Sequence, residues 1–191
     1  MNKSALNSPR TSYYPAFHYF VGFLACATLV LIVAGALVTS NDAGLAVPDW
    51  PTSFGSLYKI PPMVGGVRFE HSHRMIAEFV GFLIVILAVW TWRIEQRAWM
   101  KRLAVGMLLT VIAQGILGGL TVKFFLPWWI STAHATLDQT FFCLGVLMPL
   151  FTSRSWLVRP LASLQLCHRR LTTGLKPPHL FACTPLLVRP L

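Results

Sequence analysis

Four long apolar stretches limit what this chain can fold into. A helix needs about 20 apolar residues, each rising about 1.5 Å, to cross the ~30 Å hydrocarbon layer of a bilayer. The stretches that meet this length are Phe17 to Val38, Met75 to Trp92, Leu103 to Val122 and Trp128 to Phe151. Of the 191 residues, 55% are hydrophobic and only 12% are charged, which is typical of the membrane class. The sequence therefore predicts an all-α, polytopic membrane protein, a bundle of four transmembrane helices.

The basic residues follow the ends of these spans. The net charge of +10 also occurs in proteins that bind nucleic acid, but here the lysines and arginines do not gather on one soluble face, so no nucleic-acid partner is predicted. They precede span 1, crowd the link between spans 2 and 3, and follow span 4. Since short cytoplasmic segments carry the excess of basic residues, both termini are expected in the cytoplasm and the loop 39–72 on the outer side.

The chain divides into a polar lead-in (1–16), the four-span domain (17–152) with its outer loop (39–72), and a basic, proline-rich tail (153–191). The loop is rich in Gly, Pro and aromatic residues, including Trp50, Phe54 and Tyr58, which predicts a compact, turn-rich lid with its aromatic rings at the headgroup level. The tail has no run long enough to span and repeats one pentapeptide at 157–161 and 187–191, so no fold is assigned to it.

A cluster of ionisable side chains lies where the outer loop meets span 2, in the stretch 70–74 with the sequence EHSHR. Ionisable side chains at the end of a membrane span cost free energy, so they are usually found where they serve a function. His134 lies six residues beyond Trp128, or about 9 Å into span 4. Spans 2 and 4 run in the same direction, so with helix 2 beginning near Phe69, His73 and His134 are expected at comparable depth. Two such imidazoles can ligate a haem iron from both faces or serve the packing alone, and spacing leaves both interpretations open.

Other polar or small residues inside the spans have structural interpretations. Glu78 follows Arg74 by four residues, and an ion pair between them is favoured over a catalytic role for Glu78. Gln114 and Gly118 belong to a run of small residues in span 3, QGILGG, that lets a neighbouring helix or a flat ligand approach the backbone closely. His18, at the cytoplasmic start of span 1, is interpreted as an interfacial histidine.

Several motifs between residues 35 and 142 occur in an order that resembles one family. They are Gly44-Leu45, Pro48-Asp49-Trp50-Pro51, Gly55, Pro61-Pro62, Glu70 with His73-Arg74, Gln114-Gly115, Leu117-Gly118-Gly119, Thr121-Val122 and His134. This order is similar to that of the haem A synthase family, the cytochrome oxidase assembly proteins that convert haem O to haem A. The family fold has eight spans in two similar halves, so the chain corresponds to the amino-terminal half, and its tail resembles nothing in the family.

The resemblance implies a membrane oxidoreductase that oxidises a porphyrin methyl of haem O to a formyl group. His73 and His134 would be the axial metal ligands of the haem site, with His71 as the competing ligand. Gln114 and Gly118 would contribute to cofactor binding, and Glu70 would be the essential acidic group. The family's haem b belongs to the second half, which this sequence lacks.

The resemblance also implies a bacterial inner membrane as the location. The implied partners are haem O, a second copy of the chain or a missing carboxyl half, and haem O synthase or oxidase assembly factors. A functional short form and a truncated fragment both stay open. The alternative function is a non-catalytic, bis-histidine carrier of b-type haem, and a cofactor-free structural protein is the third.

Overall fold

The computed structural model describes residues 13–56 and 60–157, and this part of the chain folds into a bundle of four helices. They are α1 (Pro15–Ser40), α2 (Val67–Ile94), α3 (Ala98–Lys123) and α4 (Trp128–Thr152). Each is long and apolar enough to cross a membrane. The described residues contain no strand, and a single bridge joins Ser53 and Ser56. The predicted all-α, four-span architecture is confirmed, whereas most of the lead-in, most of the tail and Tyr58 lie outside the described residues.

The four helices pack in a ring in which each contacts its two neighbours. α1 packs on α2 and α4, and α3 packs on the same two helices. Helices α2 and α4 are therefore diagonally opposed, and because successive helices run antiparallel, these two run in the same direction. The end where α1 and α3 finish, and where α2 and α4 begin, is called the loop end of the bundle.

Helix α2 begins eight residues before the predicted apolar span, which started at Met75. Gly65, with φ +55°, turns the chain at the end of the loop in a conformation that glycine adopts freely. Glu70 then lies in the first helical turn, where the positive end of the helix dipole favours a carboxylate. The polar stretch 70–74 is thus helical, and the loop between α1 and α2 runs from residue 41 to 66, so that positions 67–72 of the predicted loop 39–72 belong to α2.

The fully buried apolar core fills the half of the bundle nearer the termini. On the four helices, the members of this core that lie nearest the loop end are Leu31, Val80, Met107 and Phe141. Between this layer and the loop end, the candidate residues on the same helices are glycine, histidine and glutamine: Gly35, His73, Gln114, Gly118 and His134. The loop half of the bundle therefore carries the candidate site.

Candidate functional site

His73 and His134 lie at one level near the loop end. Each follows the first residue of its helix, Val67 in α2 and Trp128 in α4, by six positions. By helix rise both are about 9 Å below the loop end. Because their helices are parallel and diagonally opposed, the two histidines lie on opposite sides of the bundle at equal depth. The depth expected from the sequence is found in the structure.

Each of these imidazoles packs against a glycine on a neighbouring helix. A Cβ atom placed on Gly35 of α1 would lie 3.2 Å from Cε1 of His73. A Cβ on Gly118 of α3 would lie 3.5 Å from Cε1 of His134. The first distance is too short for an unstrained contact, so the missing side chain at Gly35 makes room for the ring. At Gly118 the distance of 3.5 Å is an ordinary van der Waals contact, so only the site of His73 depends on a glycine.

Several polar atoms at this level are buried without a hydrogen-bond partner among the described residues. Both Nδ1 atoms, of His73 and of His134, are in this state. Gln114 donates from Nε2 to the backbone carbonyl of His134 at 3.0 Å, but its Oε1 has no partner in the described part of the chain. Ser131 Oγ, one turn before His134, is also buried without a hydrogen-bond partner in the described residues. Since a buried unsatisfied group costs ~1–3 kcal/mol, a bound group that engages this region is expected in the working protein.

The donor set fits a haem better than a bare metal ion. The described residues contain no cluster of three or more His, Cys, Asp or Glu side chains that would hold an ion. Two imidazoles from opposite sides are what a haem iron needs, because the porphyrin supplies the remaining ligands. The residues present therefore fit this group.

Arg74, the residue after His73, ties the outer loop to α2. Its Nη1 donates to the carbonyl oxygens of Asp49 at 2.6 Å and Thr52 at 3.0 Å. Its Nη2 donates to the carbonyl oxygen of Val47 at 3.1 Å and to Glu70 Oε1 at 2.5 Å. A planar guanidinium presents several donors in a fixed fork, which suits it to gather a folded loop.

The predicted ion pair between Arg74 and Glu78 is wrong. Arg74 pairs with Glu70, one turn toward the loop, and not with Glu78, one turn away from it. The loop offers three carbonyl oxygens beside Glu70, so the guanidinium gains more acceptors in that direction. Glu78 is exposed, and the described residues give it no hydrogen bond or ion pair.

Glu70 and His71 are also engaged with the loop. Glu70 is only 4% exposed, and its Oε2 accepts a hydrogen bond from the amide of Val47 at 2.7 Å while its Oε1 pairs with Arg74. The buried ring of His71 places Nδ1 3.2 Å from Ser53 Oγ. The structure thus brings Glu70, His71 and Arg74 together under the loop, and His73 with Gly35 beside them inside the bundle.

Trp50 reaches from the loop to α3, the helix next to α2. A Cβ placed on Gly119 of α3 would lie 2.5 Å from the indole Cδ2, so the ring occupies the space that any larger residue would need. Gly119 directly follows Gly118, which contacts His134. The sequence placed Trp50 at the headgroup level and missed this contact, for which it carries no signal.

Asp49 shapes the turn that carries Trp50. Its carboxylate accepts hydrogen bonds from the Thr52 hydroxyl and from the amides of Phe54 at 2.7 Å and Gly55 at 2.8 Å. Slight burial acts to raise the pKa of Asp49, but the bonds from Thr52, Gly55 and Phe54 outweigh it and hold this pKa below its ordinary value of 3.8. The turn is therefore built around an ionised carboxylate.

The lowered pKa of Asp49 predicts an acid-sensitive loop. A carboxyl whose folded pKa is depressed contributes stability that is fully present above its ordinary value of 3.8 and lost as pH falls through the folded value. We expect the thermal midpoint of the detergent-solubilised protein to fall more steeply on acidification below pH 3.8 in the wild type than in Asp49→Asn. Parallel midpoint curves for the two proteins would contradict this.

Asp138 is a site-adjacent residue that the sequence reasoning missed. It lies on α4 four positions after His134, hence on the same helix face one turn deeper, and it is partly buried. No hydrogen bond or ion pair of its carboxyl group lies within the described residues. The available signal was an ionisable residue in the middle of an apolar span.

The fold and the paired histidines define a four-helix membrane protein with a polar site at one end of the bundle. Residues 67–175 match the sequence pattern of the cytochrome oxidase assembly protein family, and these 109 of 191 residues are more than half of the chain. The chain belongs to this family. The match reaches residue 175, so the expectation that the tail resembles nothing in the family is wrong for 153–175.

Curated relatives carry the name heme A synthase. The protein of Shouchella clausii (strain KSM-K16) is 36% identical over 98 residues, which are 50% of this chain and 32% of that protein. The protein of Alkalihalophilus pseudofirmus is 34% identical over 98 residues, 50% of this chain and 33% of its own length. That of Lysinibacillus sphaericus (strain C3-41) is 36% identical over 110 residues, 54% and 35% respectively. The matched stretch thus spans about a third of the length of these relatives. No solved structure matches the chain.

Proposed function

We propose that the chain is a haem-binding membrane oxidoreductase of the haem A synthase type, in which His73 and His134 are the axial ligands. One observation carries the proposal: two partly buried imidazoles lie at equal depth on diagonally opposed, parallel helices. Membership of the family and the relatives named heme A synthase support the reaction, oxidation of a porphyrin methyl of haem O to a formyl group.

The chain's own residues have distinct parts in this proposal. His73 and His134 would hold the haem iron, and Gly35 leaves room for the ring of His73. Gln114 fixes the α4 backbone at His134, and its free Oε1 is available to the bound group. When bound, the haem supplies the redox chemistry. The loop, held by Arg74, covers this end of the bundle and limits the access of water to it.

The role of Glu70 separates two candidate functions. A catalytic Glu70 would take up a proton or stabilise positive charge near the reacting methyl carbon. Both of its oxygens, however, are engaged, one by Arg74 and one by the amide of Val47. This engagement favours the second candidate, a carrier that binds b-type haem through the same histidines without altering it.

The test is purification from cells that supply haem O, with detection at two levels. A visible spectrum of the protein in mild detergent reports whether haem is bound through two imidazoles. Extraction of the pigment then reports whether formyl haem has formed. Formyl haem supports the oxidoreductase, bound haem without formyl product supports the carrier, and a colourless protein rejects both.

The proposed setting is a bacterial inner membrane with both termini in the cytoplasm. A second copy of the chain or a carboxyl half would complete an eight-helix assembly, and haem O synthase or oxidase assembly factors would be partners. The four apolar helices and the arginines and lysines that flank them support this arrangement. Labelling of single cysteines introduced at position 64 in the loop and position 96 in the α2–α3 link tests the orientation.

The contact at Gly35 gives a graded prediction. In Gly35→Ala the new Cβ would lie 3.2 Å from the His73 ring, so the imidazole must shift by a few tenths of an ångström. We expect the haem affinity to fall by about tenfold, which corresponds to ~1.4 kcal/mol. Gly22→Ala is the matched control, because a Cβ at Gly22 of the same helix meets nothing within 4 Å. Equal affinities of the two variants in haem titration would contradict the packing argument.

A further inference from the structure

One short piece of the loop, residues 47–55, joins the surroundings of both histidines and is called the strap. The carbonyl oxygen of Asp49 accepts from Arg74, which directly follows His73. The next residue, Trp50, lies on Gly119, which directly follows the glycine that contacts His134. Between these two contacts the strap crosses the loop end of the bundle.

The two sides of the strap are held by different forces. On the α2 side, five groups of the strap are hydrogen-bonded to α2: the amide and carbonyl of Val47, the carbonyls of Asp49 and Thr52, and the hydroxyl of Ser53. Several of these bonds are charge-assisted and therefore strong. On the α3 side, the described contact of the strap is the indole of Trp50 on a bare glycine. The α2 side is thus a fixed attachment, and the α3 side is a packing contact that can separate.

We propose that the strap is a gate over the histidine pair, and that Trp50 is the positioning residue that keeps it closed. The gate opens when the indole of Trp50 leaves Gly119, while the strap backbone on both sides of Trp50 stays attached to Arg74. The ligand it admits and retains is a flat macrocycle held by His73 and His134, so this inference rests on the proposed function. Trp50 is 50% exposed, so its ring is only partly held by the surrounding protein.

A plain anchoring role for Trp50 makes a different prediction. Tryptophan is enriched at membrane interfaces, and a ring that served only there would not influence the rate at which a ligand leaves the bundle. A gate, in contrast, changes the rates of entry and exit while the ligating histidines stay unchanged. The release rate therefore distinguishes the two roles.

The sharpest test uses two alanine substitutions on the same helix. In Gly119→Ala the new Cβ would overlap the Trp50 ring at 2.5 Å, whereas a Cβ at Gly115 meets nothing within 4 Å. Haem release from each purified holoprotein to an excess of an apo-globin is followed by visible absorption. Because a lost aromatic contact worth ~1.4 kcal/mol changes a rate tenfold, we expect release from Gly119→Ala to be about tenfold faster, with an unchanged bis-imidazole spectrum. Gly115→Ala should release haem like the wild type.

Amide hydrogen exchange supplies an independent readout of the gate. The amides of Val47, Phe54 and Gly55 donate to carboxylates in the closed strap. These bonds lie in the attachment to α2 or within the strap, so their exchange should be the same in Gly119→Ala, Trp50→Leu and Gly115→Ala when only the indole leaves Gly119. A wild type without bound haem would reject the proposed function. A wild type that binds haem, with equal release from Gly119→Ala and Gly115→Ala, would reject the gate alone, and faster exchange of the Val47 amide in Gly119→Ala would reject the fixed attachment on which the gate depends.

Discussion

Replacement of His73 or His134 by alanine is expected to abolish the spectrum of a haem with two imidazole ligands. Each substitution removes one of the two nitrogen donors that approach the site from opposite helices. The remaining imidazole leaves the iron with an open axial position, so any retained haem changes its spin state and colour. We also expect the haem content of the purified protein to fall by at least ~tenfold, the usual scale for damage to a metal site.

Two other histidines provide matched controls for this experiment. His18 lies at the opposite end of the bundle, where its Nδ1 is 3.1 Å from Thr152 Oγ1. His71 is turned to Ser53 of the loop. Both His18→Ala and His71→Ala should keep the bis-imidazole spectrum. Loss of that spectrum in His71→Ala together with its retention in His73→Ala would assign the axial role to His71 and overturn the ligand pair.

The matched depth of the two histidines was predictable from the sequence because it depends on local quantities. Long apolar runs located the spans, and helix rise gave the depth of His134 and, once the direction of α2 was fixed, of His73. The apolar run of span 2 begins eight residues after the start of α2, since hydropathy detects the apolar part of a helix and not its polar first turns. The sequence therefore predicted the depth of the two histidines but not the residue at which α2 begins.

Contacts between the loop and the helices were not predictable in this way. Trp50 and Gly119 are 69 positions apart, and neither residue type indicates the other. The partner of Arg74 was predicted wrongly because Glu70 and Glu78 lie four residues on either side of it, and helical spacing treats the two alike. The folded loop decided between them by placing three carbonyl oxygens on the side of Glu70.

Replacement of Glu70 by glutamine is expected to destabilise the protein by ~3 kcal/mol, because removal of one partner of a buried ion pair leaves the other charge uncompensated. Arg74 would keep its three carbonyl acceptors but lose the carboxylate. Glu78→Gln is the matched control on the same helix. Glu78 has no hydrogen bond or ion pair within the described residues, so its replacement leaves no described partner uncompensated and should change the free energy of unfolding by less than ~0.5 kcal/mol. Denaturation in detergent measures both variants.

The same pair of variants separates a structural Glu70 from a catalytic one. If Glu70 serves to hold Arg74 and the strap, Glu70→Gln loses stability and its Val47 amide exchanges faster, because that amide donates to Glu70 Oε2 in the folded state. If Glu70 acts on the substrate instead, the variant keeps both properties and loses only the formyl product. Equal stability and equal Val47 exchange in Glu70→Gln and Glu78→Gln would therefore contradict the structural role of Glu70 and would favour its role in the reaction.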